Sequence, residues 1–216
     1  MLLNLYSNFL NLIYKQNCVI CGCAKTDEIL CKSCLKNVQF LSSFAHRIYE
    51  QIPIYSMSNY ENVIKKLIHF LKFKHKKKVA KVLAQLLFAY FQKLNLKENY
   101  IIVYPESYFI KNLSKGYNHS FLIAKEFSNL TGFELKRNLI QKVKPTKPQY
   151  KAKYRHKNIK NSFRINSKLV NEIKDKNILI IDDIITSGAT LEEIINCFLK
   201  EDIKNLTCLT IAKSIK

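Results

Sequence analysis

The run ILIIDDIITSGAT, residues 178–190, joins an apolar stretch to two acids and then to a hydroxyl-rich turn around one glycine. Consecutive aliphatic residues of this kind form a strand buried on both faces, and the pattern predicts one over 177–182. Asp182 and Asp183 are expected to emerge at its carboxyl end, one on each side of the pleat. Thr186, Ser187 and Thr190 then supply hydroxyls, and Gly188 lets the backbone approach closely. The helix predicted from Ala189 to residue 200 points unpaired amides and the positive end of its dipole at the same spot. Together these make a cup for a phosphate. The carboxylates beside it can accept hydrogen bonds from sugar hydroxyls or help hold a hydrated divalent ion, so a phosphorylated ribose satisfies both halves. An NTPase also ends an apolar strand in an acid, but glycine occurs only at positions 22, 116, 132 and 188. Neither a G-x-x-x-x-G-K-[ST] loop nor a G-x-G-x-x-G loop can be built from that spacing.

A second constellation is CVICGCAKTDEILCKSC, residues 18–34, with C-x-x-C at Cys18 and Cys21 and again at Cys31 and Cys34. Two such knuckles let four thiolates converge on one zinc ion, and Gly22 suits the sharp turn between backbone and sulfur. Cys23 is a fifth thiol and is left outside the ligand set. A disulfide framework is disfavoured by the lack of a signal peptide, and a redox C-x-x-C by the duplication. A catalytic zinc keeps an open position, so four thiolates point to scaffolding or partner docking. Cys197 and Cys208 lie in apolar periodic segments and read as core thiols.

Elements that position these groups follow from periodicity. Two amphipathic helices are expected across residues 60–94, YENVIKKLIHFLKF and KKKVAKVLAQLLFAYFQKL. Strands are expected at 100–104, 133–140, 177–182 and 205–211, and helices at 118–130 and 189–200. Strand and helix in alternation imply an α/β fold with a parallel sheet flanked by helices, whose ligands bind at the carboxyl ends of strands. The division read from the chain is 1–45, an N-terminal helix and zinc module, and 46–216, the α/β domain. The N-terminus (Leu2, Leu5, Phe9, Leu12, Ile13) has helical spacing but no basic flank, and no apolar run reaches membrane-spanning length. A cytoplasmic protein is expected.

With Lys and Arg at 36 and Asp and Glu at 16, the net charge is +20, which favours polyanionic partners. No acid occurs between Glu61 and Glu98 or between Glu134 and Glu172, so the charge is concentrated in two blocks. The run Lys72–Lys78, broken only by Phe73 and His75, suits either a solvated helix junction or an anion site. From Gln141 to Arg164 the chain is intensely basic and aperiodic. There Tyr150 and Tyr154 alternate with Lys151, Lys153 and Arg155, a composition fit for phosphates and stacked bases; Lys142, Lys144 and Lys147 extend it.

The acid-rich signature closely resembles that of type I phosphoribosyltransferases, which bind 5-phosphoribosyl-1-pyrophosphate (PRPP). Combined with the four-cysteine N-terminus, the chain resembles the ComF family of competence proteins. Further likeness lies in the Tyr60–Phe73 helix ending LKF, in KGYNHSFLIAKEF (Lys115–Phe127) against a family R-G-F-N-Q stretch, in KVKPTKPQ (Lys142–Gln149), in Arg155 with Asn158, and in Phe163. This resemblance implies a type I phosphoribosyltransferase-like fold and a cytoplasmic role in natural transformation, handling incoming single-stranded DNA beside uptake proteins such as a helicase. It places ribose hydroxyls on Asp182 and Asp183 and the 5-phosphate on Thr186, Ser187, Gly188, Ala189 and Thr190. Tyr104, Pro105, Glu106 and Ser107 become the pyrophosphate loop, with Mg²⁺ accompanying PRPP, while Lys115 and residues 142–155 become a mobile cover. The family turn resembling V-P-V-P is reduced here to Pro105 with Glu106 beside it, and Lys115, Tyr117 and His119 stand for the family's Arg, Phe and Gln. Lysine neutralises a phosphate without gripping it bidentately. Two functions fit these residues: a PRPP and single-strand binding module, and a transferase moving phosphoribose to a base or amine. No catalytic base is identified. A regulator on the same fold, with PRPP as effector, is less favoured because no helix-turn-helix stands out.

Overall fold

The computed structural model describes residues 17–23, 29–42, 46–49, 52–96, 99–106, 117–145 and 159–214. Expectations for the N-terminal helix and for Ser107, Lys115, Lys147, Tyr150, Lys151, Lys153, Tyr154 and Arg155 lie outside the described residues.

The short helix α1 (Lys32–Lys36) is followed by strands β1 (His46–Tyr49) and β2 (Ile52–Asn59), helices α2 (Asn62–Phe73) and α3 (Val79–Lys93), and β3 (Tyr100–Val103). Helix α4 (His119–Thr131), strands β4 (Ile140–Lys142) and β5 (Phe163–Ile165), and the short helix α5 (Val170–Ile173) come next. Strand β6 (Asn177–Ile185), helix α6 (Ala189–Lys200) and β7 (Leu206–Lys213) complete the described chain.

Five strands form one sheet in the order β1-β2-β7-β6-β3, parallel throughout except for the β1–β2 edge pair. The α/β expectation with helices on both faces holds. Along β6 the side chains alternate between two cores: Leu179 and Ile181 pack with α2, α3 and α4, while Ile178 and Ile180 pack with α6. Such double-sided burial is why this strand reads as an unbroken apolar run. Cys197 and Cys208 are buried on the α6 side, as core thiols.

Local chemistry sets the ends of α4. Asn118 caps its start by accepting from the Phe121 amide, and Gly132, at φ 74°, ends it in the left-handed region that a residue with a Cβ adopts only under strain.

Three differences from the sequence reading have physical causes. The strand expected over 133–140 is reduced to a single parallel bridge, Ile102 with Leu135, because Asn138 adopts φ 59° and breaks the extended run before β4. Strand β6 continues through both acids to Ile185, with Asp182 opposite Thr210 of β7. Asp182 and Asp183 therefore lie within the strand, yet beyond the reach of β3, whose last partner is Ile180. Strands β1 and β2 arise where none was expected, since β2 carries buried serines that mask its apolar pattern.

Candidate functional site

Past the end of β3, no described strand pairs with that side of β6, and the chain after Ile185 turns through Thr186 and Ser187 into α6. Gly188 takes φ 80° at the start of that helix and, as its N-cap, has no side chain with which to cap the first turn. The amides of the turn are thus available to an outside acceptor. Asp182, Thr186, Ser187, Gly188, Ala189 and Thr190 line one small cup that opens to solvent. All of these residues were singled out in the sequence, and the fold brings them together. Asp183 does not line the cup; it is buried and faces the other way, toward α2.

There it meets a residue whose role the sequence concealed. Lys72 Nζ lies 2.8 Å from Asp183 Oδ1 and 2.7 Å from Oδ2, bracketing the carboxylate. Burial by itself would lower the Lys72 ammonium, but the charge and hydrogen bond of Asp183 outweigh it and hold it raised. Ser120, in the first turn of α4, donates to Asp182 Oδ1 at 2.9 Å, and the Asp183 amide donates to the same oxygen at 2.8 Å. The Lys72–Asp183 and Ser120–Asp182 contacts span elements far apart in sequence, so no local spacing could reveal them.

Asp182 differs from its neighbour electrostatically. Burial first, and then the charge of Asp183, push its carboxyl up to about 7, against the lowering effect of its hydrogen bonds and of Lys72. A carboxyl raised on folding contributes stability that is full below its unfolded value and is lost as pH rises through its folded value. The window runs from about pH 4 to pH 7. Asp182→Asn is therefore expected to flatten the stability profile over this interval and to leave the protein about 1–2 kcal/mol more stable than wild type at pH 8, allowing for solvent screening at the partly open cup. Urea unfolding at pH 5, 6.5 and 8 checks this; parallel profiles for the two proteins would contradict it.

At the expected pyrophosphate turn, Tyr104 is buried and its hydroxyl donates to Glu106 Oε1 at 3.0 Å. The Pro105 carbonyl accepts from Asn118 Nδ2 at 2.9 Å, tying the turn to the start of α4. Lys142 sits 5.1 Å above the Phe163 ring on the β4–β5 hairpin, and Lys144 is exposed just beyond.

The cysteine expectation is met in geometry. The thiols of Cys18, Cys21, Cys31 and Cys34 all lie within 4.8 Å of one another, and Cys21 Sγ is 3.7 Å from Cys31 Sγ. A tetrahedral ion with metal–sulfur bonds near 2.3 Å has sulfur–sulfur edges of about 3.8 Å, so the cluster can take a metal such as zinc. Amides support it: Cys31 N donates to Cys18 Sγ at 3.5 Å and Cys34 N to Cys31 Sγ at 3.4 Å. Although burial raises the Cys18 thiol, hydrogen bonds from the Cys21, Cys31 and Ile20 amides and from the Cys21 thiol bring it down to about 6, which favours the thiolate form. Cys18, Leu30 and Cys34 share one apolar cluster with α2 and α3, so the knot is seated on the main core.

With this geometry in view, residues 119–215 match the model of the phosphoribosyl transferase domain. The chain is 25% identical to Competence protein F of Haemophilus influenzae, covering 94% of each. The chain is thus similar to competence protein F over nearly its whole length, with the likeness to the phosphoribosyl transferase domain confined to residues 119–215. It is also 24% identical to DNA utilization protein YhgH of Escherichia coli O157:H7 and 26% identical to that of Salmonella typhimurium, each over 85% of this chain and 84% of the relative. The matched stretch takes in Ser120, both aspartates and the whole cup, whereas Lys72 and the four cysteines lie upstream of it. Among the described residues, no helix is long and apolar enough to cross a membrane.

Proposed function

We propose that this protein binds PRPP or a related phosphoribosyl ligand, together with single-stranded DNA, in a DNA-uptake role on the cytoplasmic side of the membrane. What carries the reading is the cup: Thr186 to Thr190 around a left-handed Gly188, beside Asp182 and within a phosphoribosyl transferase domain. In it, the 5-phosphate rests on the first amides of α6 with Thr186, Ser187 and Thr190, and the ribose hydroxyls donate to Asp182, behind which Asp183 is held by Lys72. Lys72 screens Asp183 from the ligand's negative charge. Because one carboxylate of the pair is already neutralised by an ammonium, Mg²⁺ would be held through the pyrophosphate, where it would supply charge neutralisation. Tyr104 to Ser107, with Lys115, border the pyrophosphate.

The relatives' names, competence and DNA utilization, support the DNA side of the reading. Basic side chains at Lys142, Lys144, Lys147, Lys151, Lys153 and Arg155, with Tyr150 and Tyr154, supply a polyanion-binding cover, and uptake proteins such as a helicase are its protein partners. Residues 1–45 form the zinc-holding module and 46–216 the ligand-binding domain.

Thermal unfolding tests the ligand. PRPP with Mg²⁺ at a hundred times its dissociation constant is expected to add about 2.7 kcal/mol, raising Tm by roughly 5–10 °C. An unchanged Tm across millimolar PRPP would oppose the reading. The match of residues 119–215 to a transferase domain favours a second reading, turnover: the bond from ribose C1 to pyrophosphate breaks as a base or amine nitrogen bonds to C1. Pyrophosphate release on adding an acceptor distinguishes it.

A further inference from the structure

Beyond the cup, the turn between α2 and α3 presents a continuous exposed stretch, Phe73 to Lys78, in which a phenylalanine 53% exposed stands among lysines and a histidine. The rings around it are organised. His69 lies 5.0 Å from Phe73. The Tyr117 ring is flanked edge-on by His75 at 5.9 Å and by His119 at 5.2 Å, with Lys77 Nζ 5.0 Å above it. Lys76 Nζ lies 4.9 Å over Phe70. The Tyr117 hydroxyl donates to the Leu71 carbonyl at 2.6 Å, which fixes the start of α4 against the end of α2. This cluster borders the acidic pair directly: Lys72 follows Leu71 and pairs with Asp183, and Ser120 lies three residues beyond Tyr117 on Asp182.

We infer that Phe73, His75, Lys76, Lys77 and Tyr117 form a stacking platform for single-stranded DNA, contiguous with the phosphoribosyl site through Lys72. Planar groups interleaved with ammonium groups are what unpaired bases on a phosphate chain require, since bases stack on rings while lysines follow the backbone. A membrane-binding face requires a broad apolar stripe, and the exposed stretch here offers one phenylalanine among four lysines. The inference rests on the reading of the chain as a binder of single-stranded DNA and assigns that activity to described residues other than those of the 142–155 segment.

The test is fluorescence anisotropy of a labelled oligothymidylate with zinc-loaded full-length protein, comparing wild type with Phe73→Ala, His75→Ala, Phe73→Tyr and the Lys76→Gln, Lys77→Gln pair. Phe73→Ala and His75→Ala are each expected to weaken binding at least about five-fold, with Phe73→Tyr restoring it. The lysine pair is expected to make the slope of log affinity against log salt shallower by about 1.4. These side chains are exposed, so circular dichroism and PRPP response should match wild type. Wild-type affinity in both alanine variants would overturn the platform while leaving DNA binding elsewhere on the protein intact. Failure of the wild type to bind would overturn platform and DNA reading together, whatever PRPP does. Loss of binding to anionic phosphatidylserine vesicles with unchanged DNA affinity would assign the surface to lipid and overturn the inference.

Discussion

Asp183→Ala is expected to cost about 2–3 kcal/mol of unfolding free energy at pH 7, far more than the loss of an exposed ion pair. The carboxylate and its partner are only 12% and 24% exposed, so removing one strands the other in a poorly solvated place. Adding Lys72→Met to that variant is expected to restore most of the loss, because methionine fills the lysine stem's volume without a charge. Urea unfolding of the two single variants and the double variant gives the coupling. Single variants within 0.5 kcal/mol of wild type would show that the pair is a surface contact of no structural weight.

Removing metal is expected to have the larger effect. Apparent binding free energies of structural zinc in small modules run to about 10–16 kcal/mol, comparable with the whole stability of a domain. Here Cys18 and Cys34 are also buried against the core that holds α2 and α3, so loss of the ion exposes apolar surface beyond the knuckles. Purified protein should carry one zinc per chain by atomic absorption. A strong chelator, or Cys34→Ala, should lower Tm by more than about 10 °C in a calorimetric scan. Cys23→Ser should leave both zinc content and Tm unchanged, since Cys23 lies outside the four-thiol cluster. Zinc-free protein with a wild-type transition would contradict the assignment.

Legibility of the fold and site followed the range of the interactions. The strand and helix of residues 177–200 were readable because one uninterrupted apolar run and one glycine carry their whole signal locally. The cysteine knot was readable for the same reason, its ligands lying within 17 residues. Strand β2 was not, because its buried Ser56 and Ser58 look polar until their partners are known: Ser56 pairs with Thr210 at 2.8 Å and Ser58 with the Gln39 carbonyl at 2.8 Å. Lys72 looked like the first member of a charge run, whereas its partner lies 111 residues away. The same distance hid the asymmetry of the acidic pair, in which one carboxylate is bracketed by an ammonium and the other is left to the cup.

Calorimetric titration of the zinc-loaded protein with PRPP and Mg²⁺ at pH 8, beside Asp182→Asn, tests the central claim most directly. Asparagine keeps the shape of the rim and removes the charge that ribose hydroxyls meet. Saturable one-site binding by wild type, weakened at least about ten-fold in the variant, is the predicted result. No heat of binding from folded, zinc-loaded wild type, or equal affinities in the two proteins, would contradict a phosphoribosyl site at this cup.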